Sequence, residues 1–239
     1  MVRFILFLFA TCAAFAAEVT VLSYNIRHCE GVDGKLDVAR IAAVIRSVKP
    51  GVVALQEVDR KTERAGGADQ AEELGRLTGL TAIFGRAIDY GGGQYGNAVL
   101  TRLPVKRWAN HPLPGQEPRA LMEVDFGAFT FFATHLDATR EDTHRAAAAA
   151  EINRLAKSPA LLAGDLNAVP GSTPMKILAG EWSVAGEGLS LPTIPVRQPA
   201  RQIDYILFRP ATRWKVIEIR VLDEPLASDH RPILAVLEY

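Results

Sequence analysis

The chain predicts a single α/β sandwich, two packed β-sheets with helices on the outside. Many short apolar strands are interspersed with only three helical segments, the layer pattern of packed sheets with outer helices. The strands are apolar on both faces, as in sheets covered on both sides. No composition break marks a domain boundary along 239 residues, a length suited to one large domain or two small ones.

The elements follow in order. Val19 to Tyr24 reads as a buried strand. Leu36 to Val48 has apolar residues at helical spacing (Leu36, Ala39, Ile41, Val44, Ile45, Val48), closed by Pro50 and Gly51. Val52 to Leu55 is a second strand, Ala71 to Leu77 a helix, Ala82 to Phe84 a strand and Ala98 to Thr101 another. Gly85 to Gly96 reads as a flexible, glycine-rich rim loop, with Tyr95 facing a site. Its residues 91–96 match G-x-G-x-x-G, but a dinucleotide site needs a helix next and a strand follows here. Leu121 to Val124 and Ala128 to Ala133 form a hairpin turning at Asp125 to Gly127. Glu141 to Ala156 is a helix and Ala160 to Ala163 a strand. The proline-rich run Leu191 to Pro199 is an ordered loop, and strands close the chain at Ile203 to Phe208, Trp214 to Val221 and Ile233 to Leu237.

Composition narrows the class. Lys plus Arg (27) balances Asp plus Glu (27), and 49% of residues are hydrophobic. That excludes a disordered tail protein, a collagen, a coiled coil and a disulfide-dense mini-protein. Bulk charge gives no drive for nonspecific nucleic-acid binding, which needs surplus Lys and Arg. Met1 to Ala17 has one basic residue, an apolar run and small residues at its end, the layout of a secretory signal cleaved near Ala16 and Ala17. The apolar run is shorter than a membrane span requires. Its removal leaves 26 basic against 27 acidic residues, a net −1, and Cys29 alone. An intramolecular disulfide is then excluded. A periplasmic or secreted protein whose core needs no staples is expected.

Polar groups recur where apolar strands end. Asn25 follows VTVLSY, Glu57 follows VVALQ, His135 follows FTFFAT and Asp165 follows ALLAG. Asp204 opens YILF, and Asp229 and His230 precede the last strand. Strand ends are where α/β sheets build ligand sites. Glu57, Asp165, Asp204 and Asp229 are hard oxygen donors, with Asn25 and Asn167 as neutral oxygens, and no Cys/His cluster suggests zinc. Such a set selects magnesium or manganese, leaving His135 and His230 for proton work near neutral pH. Asp165 and Asn167, two apart, point the same way if the backbone is extended. Asp204, between Ile203 and Tyr205, is costly to bury unpaired, so it orients a histidine or meets a metal. A lone carboxylate at a strand end is ordinarily structural, and His28, His111 and His144 are read that way; the combination is not.

YNIR (24–27), LQEVD (55–59), GNAVLTR (96–102), THLD (134–137), GDLN (164–167), QIDYIL (202–207) and SDHRP (228–232) together resemble the endonuclease/exonuclease/phosphatase superfamily. This group includes DNase I-like nucleases, apurinic endonucleases, inositol polyphosphate 5-phosphatases and sphingomyelinases. The motifs come in family order across nearly the whole mature chain. The resemblance implies one domain over residues 18–239, a four-layer α/β sandwich with two central mixed sheets, and metal-dependent phosphoester hydrolysis by in-line attack of water. It implies Glu57 as principal metal ligand, with Asn25 and Asp229 on or near the same magnesium or manganese ion. Asp165 would orient or deprotonate the water, Asn167 would donate to the phosphate, and His230 paired with Asp204 would sit against the scissile phosphate. His135 would stabilise the phosphate or protonate the leaving oxygen, and Tyr95 and Asn97 match a region that touches phosphate. Asp165 and His230 both qualify as the base.

The apurinic branch carries an acidic residue where Arg27 stands here, and no basic DNA-binding insertion is evident. Arg27 and His28, joined by Arg119 or Arg201, look more like a phosphate pocket than a DNA groove. The first expectation is therefore an exported phosphodiesterase of nuclease type, acting as a monomer on nucleic acid or a small or lipid phosphate with no stable protein partner. The alternative is a phosphomonoesterase on a small or lipid phosphate. A non-catalytic binding protein on the same scaffold is expected to lack metal or dyad residues, and this chain keeps them.

Overall fold

Alternation along the strands builds the layers. In β1 (Glu18–Asn25), Val19 and Val21 face one apolar cluster while Leu22 and Tyr24 face another, as a side-chain period of two requires. α1 (Val38–Val48) and α2 (Gln70–Thr78) cover the second cluster through Ile41, Ile45 and Leu74. The computed structural model describes residues 17–239; the leader read in residues 1–17 lies outside them except for Ala17.

Between and after these helices come β2 (Val52–Arg60), β3 (Thr81–Tyr90), β4 (Gly93–Thr101), β5 (Arg107–Leu113), β6 (Arg119–Asp125) and β7 (Thr130–His135). Then follow α3 (Thr143–Leu155), β8 (Ala160–Asp165), α4 (Thr173–Ala179), β9 (Ser183–Val184), β10 (Asp204–Arg209), β11 (Lys215–Val221) and β12 (Ile233–Glu238). One six-stranded sheet runs β11-β12-β1-β2-β4-β3, the other β5-β6-β7-β8-β10-β9. Each is mixed, with one parallel pair, β1 with β2 and β7 with β8. Val21, Ala54, Val99, Phe131, Leu161, Ile206 and Ala235 pack between the sheets. Phe132, Leu162 and Leu207 meet α3 and α4 on the far side through Ala149, Ile152 and Leu178. The result is the four-layer α/β sandwich with two central sheets.

Capping explains the helix boundaries. Asp37 accepts from the Arg40 amide at the start of α1, and Lys49 at its end is left-handed (φ 47°) before Pro50. Asp69 accepts from the Glu72 amide to start α2, and Gly79 (φ 73°) ends it.

Three expectations change. The Gly85–Gly96 rim loop is instead a long β3–β4 hairpin turning at Gly91 and Gly92, because glycines spread through a strand do not prevent pairing where neighbours are β-formers. β5 is an additional strand: RWANHPL is polar and mostly exposed, as an edge strand carrying Pro112 can be. α4 is an additional helix of seven residues with Pro174 in its first turn, too short for a periodic signature.

Candidate functional site

The inner-face parity of the strands carries several candidate residues to one place. Positions 19, 21, 23 and 25 share a face, as do 131, 133 and 135, 161, 163 and 165, and 208, 206 and 204. Apart from Ser23, apolar side chains fill the earlier positions between the sheets, and Asn25, His135, Asp165 and Asp204 are the terminal ones. All four are buried. Register then aligns them, with His135 opposite Asp165 and Asp165 opposite Asp204.

Glu57 reaches the site by a different device. Simple alternation would send it to the helix side with Val53 and Leu55. A bulge between Leu55 and Val58 and a left-handed backbone (φ 58°) bring its carboxylate to Asn25 instead. A non-glycine residue there stores about 1–3 kcal/mol and is held by its surroundings. Arg27, His28 and Cys29 are likewise left-handed (φ 44°, 42° and 61°). The Arg27 amide donates to Asn25 Oδ1 at 3.1 Å, and Gln70 Nε2 to the His28 carbonyl at 2.6 Å.

The contacts form one chain. Asn25 Nδ2 donates to Glu57 Oε1 (2.9 Å) and to Asp165 Oδ2 (3.1 Å). Asp165 Oδ2 lies 3.4 Å from His135 Nε2 and 3.7 Å from His230 Nε2. His230 Nδ1 is 2.9 Å from Asp204 Oδ2, and the Thr193 hydroxyl donates to that same oxygen. Ser228 Oγ donates to the Asn25 carbonyl (2.7 Å) and accepts from the His230 amide (3.3 Å).

Asn167 arrives otherwise than expected. Its backbone is left-handed (φ 47°), not extended. Its amide donates to Asp165 Oδ1 (2.9 Å), and its side-chain Nδ2 sits 3.0 Å from both His135 Nε2 and the Leu136 carbonyl. The tight turn after β8, not shared strand parity, therefore brings Asp165 and Asn167 together. Arg119 is buried beside His135, Nη1 to Nδ1 3.4 Å, and pairs with Glu117 at 3.0 Å. Tyr95 belongs to β4 rather than a loop; burial and the Glu57 charge raise its phenol well above the usual range, against the lowering pull of Arg119. Asn97 gives an N–H to the Ala120 carbonyl, tying β4 to β6. Asp229 is the outlier. Its half-exposed carboxylate meets Ser228 (3.3 Å) and Arg27 (4.0 Å), and among the described residues it makes no hydrogen bond to Glu57 or Asn25. Thr193 and Ser228 had no assigned role: Thr193 sits in the proline-rich loop with no local signal, whereas Ser228 lay visible inside SDHRP.

Electrostatics divides the titratable groups. Burial and the Asp204 carboxylate push Asp165 up to about 7, against the opposing pull of His230 and the Asn167 and Asn25 donors. Burial alone would lower His230, but Asp204 and Asp165 outweigh it and raise the imidazole to about 10. Burial, Arg119 and His230 hold His135 well below its usual value. Asp204 Oδ1 is buried without a partner. An orphaned buried acceptor of this kind is costly unless something meets it, and a cation would. Asp165, Asp204 and His230 have ligand atoms within 4.8 Å of one another and can hold an ion. The oxygens of Glu57 and Asn25 adjoin them.

The Endonuclease/Exonuclease/phosphatase family model matches residues 22–230. The uncharacterized protein YbhP of Escherichia coli (strain K12) is 26% identical over 213 residues, 80% of this chain and 84% of that protein. An endonuclease/exonuclease/phosphatase structure from Beutenbergia cavernae superposes with TM-score 0.81 at 26% identity, covering 92% of this chain and 71% of that one. A mannosyl-6-phosphatase from Bacteroides thetaiotaomicron shares the fold at TM-score 0.74 and 19% identity, over 92% of this chain and 100% of that one. With residues 22–230 matched, the chain belongs to the endonuclease/exonuclease/phosphatase family, whose members hydrolyse phosphoesters.

Proposed function

We propose that the protein is an exported phosphodiesterase of nuclease type that uses magnesium or manganese. The observation that carries this is the continuous chain Glu57–Asn25–Asp165–His230–Asp204, with Arg119 and Arg27 beside it. Glu57 and Asn25, with Asp229 across the mouth, would hold the cation. All three offer oxygen, the chemistry those ions select. The bound ion would neutralise charge developing on phosphoryl oxygens.

The protein's own groups divide the remaining work. Asp204 fixes His230 with Nδ1 as donor, so Nε2 faces the reacting phosphate. As an imidazolium, His230 stabilises the charge there. Asp165, with its affinity for a proton near 7, is matched to accept one from the attacking water near neutral pH. Asn167 orients His135, and would donate to phosphate by giving up one of the two contacts its Nδ2 now makes. His135, kept unprotonated, serves better as an orienting group than as an acid, and the adjacent Arg119 supplies the cation. Both open bases in the sequence reading thus take separate roles, Asp165 as base and His230 as charge stabiliser.

A phosphomonoesterase on a small or lipid phosphate is the second reading. Arg27 at the mouth and buried Arg119 place two guanidinium groups at one compact site, suited to a dianionic group. Export rests on the leader read in residues 1–17, and the free buried thiol of Cys29 is compatible with it. Magnesium-dependent nicking of supercoiled plasmid, with His230→Ala alongside, tests the first reading. Nicking lost in the variant and on chelation supports it. No nicking, with turnover of soluble monoesters, moves the assignment to the second.

A further inference from the structure

We propose that the lip formed by the loops after β8 and before β10 docks the enzyme onto an anionic lipid bilayer, so that phosphoesters carried at that surface are its substrates; the substrate part rests on the phosphoesterase reading above. Two adjoining hollows of about 330 and 410 Å³ share Pro170, Gly188, Leu189 and Gln202 in their walls. Val169 is 43% exposed and Leu189 58% exposed on the same lip. Isolated exposed apolar residues are ordinary, but a contiguous apolar patch marks an interaction surface.

Charge decides the occupant. Lys176 and Arg201 line the hollows, and Arg197 stands in the same loop as Arg201. All three are exposed, and among the described residues none forms an ion pair within 4.0 Å. The acidic group lining the hollows is Glu187. Exposed apolar side chains bordered by unpaired cations are the chemistry of attachment to an anionic bilayer surface. A protein partner matched to the apolar hollows alone would leave the three cations unexplained. No described helix is long and apolar enough to cross a membrane, so the contact is peripheral.

The lip is continuous with the reaction centre. Val169 follows Asn167 by two residues. The other loop runs from Leu189 to Thr193, whose hydroxyl holds Asp204, and Gln202 leads into Asp204 itself. With a bilayer against these loops, headgroup phosphates would approach the segments that carry Asn167 and Asp204.

The test is co-sedimentation of the protein recovered after export with mixed phosphatidylcholine–phosphatidylglycerol vesicles and with phosphatidylcholine alone. Turnover of soluble bis(p-nitrophenyl) phosphate is measured in parallel. Wild type should pellet with the anionic vesicles. Lys176→Glu and Leu189→Asp should each weaken that binding at least about ten-fold, with soluble turnover by Leu189→Asp unchanged. Equal pelleting by wild type and both variants, or no preference for anionic vesicles, overturns the proposal. So does loss of soluble turnover in Leu189→Asp, which would place Leu189 in the site itself. Wild type that pellets but does not hydrolyse the soluble diester counts against the phosphodiesterase reading and leaves the docking result standing.

Discussion

At the scale of single residues, two carboxylates and an imidazole share a buried space, and one carboxylate oxygen, Asp204 Oδ1, has no partner there. Asp204 is committed to His230 and Thr193, whereas Asp165 is held by amide donors from Asn25 and Asn167. Their substitutions should therefore separate. Asp204→Asn keeps the shape but removes the charge that orients and protonates His230, so turnover should drop ~10²–10⁴-fold with little change in the magnesium concentration for half-maximal rate. Glu57→Gln should chiefly raise that concentration. Steady-state rates across a magnesium titration distinguish the two, and full activity in both variants would refute the site.

The same pair makes stability depend on pH. His230 is raised from 6.5 to about 10 in the folded metal-free protein, so the native state keeps a proton that the unfolded state releases. Its contribution is complete below pH 6.5 and disappears as pH rises through about 10. Asp165, raised from 3.8 to about 7, acts in the same direction, its contribution complete below pH 3.8 and lost as pH rises through about 7. Thermal midpoints measured in chelator should fall from pH 6.5 to pH 10, and His230→Gln should flatten that limb. A level wild-type profile would contradict the assignment.

At the scale of elements, close backbone approach decides whether the site assembles. A Cβ on Gly164 would lie 2.1 Å from the Thr134 carbonyl oxygen, at the parallel pair that sets His135 against Asp165. Backbone, not a flexible side chain, is in the way. Gly164→Ala should cost about 3 kcal/mol or more, read from the urea midpoint, and should lower turnover even where the protein remains folded. A neutral midpoint would show that the β7–β8 spacing is looser than the register implies. The strongly apolar strands were legible for the same reason that they pair: VTVLSY, VVAL and ALLA are buried on both faces. β5 and α4 were not, because an exposed edge strand and a two-turn helix draw their stability from neighbours rather than from pattern.

At the scale of the whole molecule, the two sheets form a rigid frame whose inner apolar column ends in polar groups. Cation binding at those ends should stabilise the frame by mass action, about 2.7 kcal/mol at a hundredfold excess over the dissociation constant. Magnesium should therefore raise the thermal midpoint of wild type and leave that of Glu57→Gln nearly unchanged, by calorimetry at constant pH. An equal rise in both would move the principal ion away from Glu57 and toward the Asp165, Asp204 and His230 group.

The sequence by itself determined the layers and the identity of most gathered side chains. Alternating apolar residues leave each strand one way to bury both faces, and the polar residue ending each strand has nowhere to go but the open end of the sandwich. Asn25, His135, Asp165, Asp204 and His230 were legible on that ground. Only the tertiary structure decided the rest. The bulge re-aims Glu57, and the left-handed turn rather than an extended strand carries Asn167. Thr193 comes from a loop eleven residues before Asp204, and Asp229 turns to the mouth instead of joining Glu57. Register, bulges and long-range partners are set by contacts between distant segments, and no local propensity encodes them.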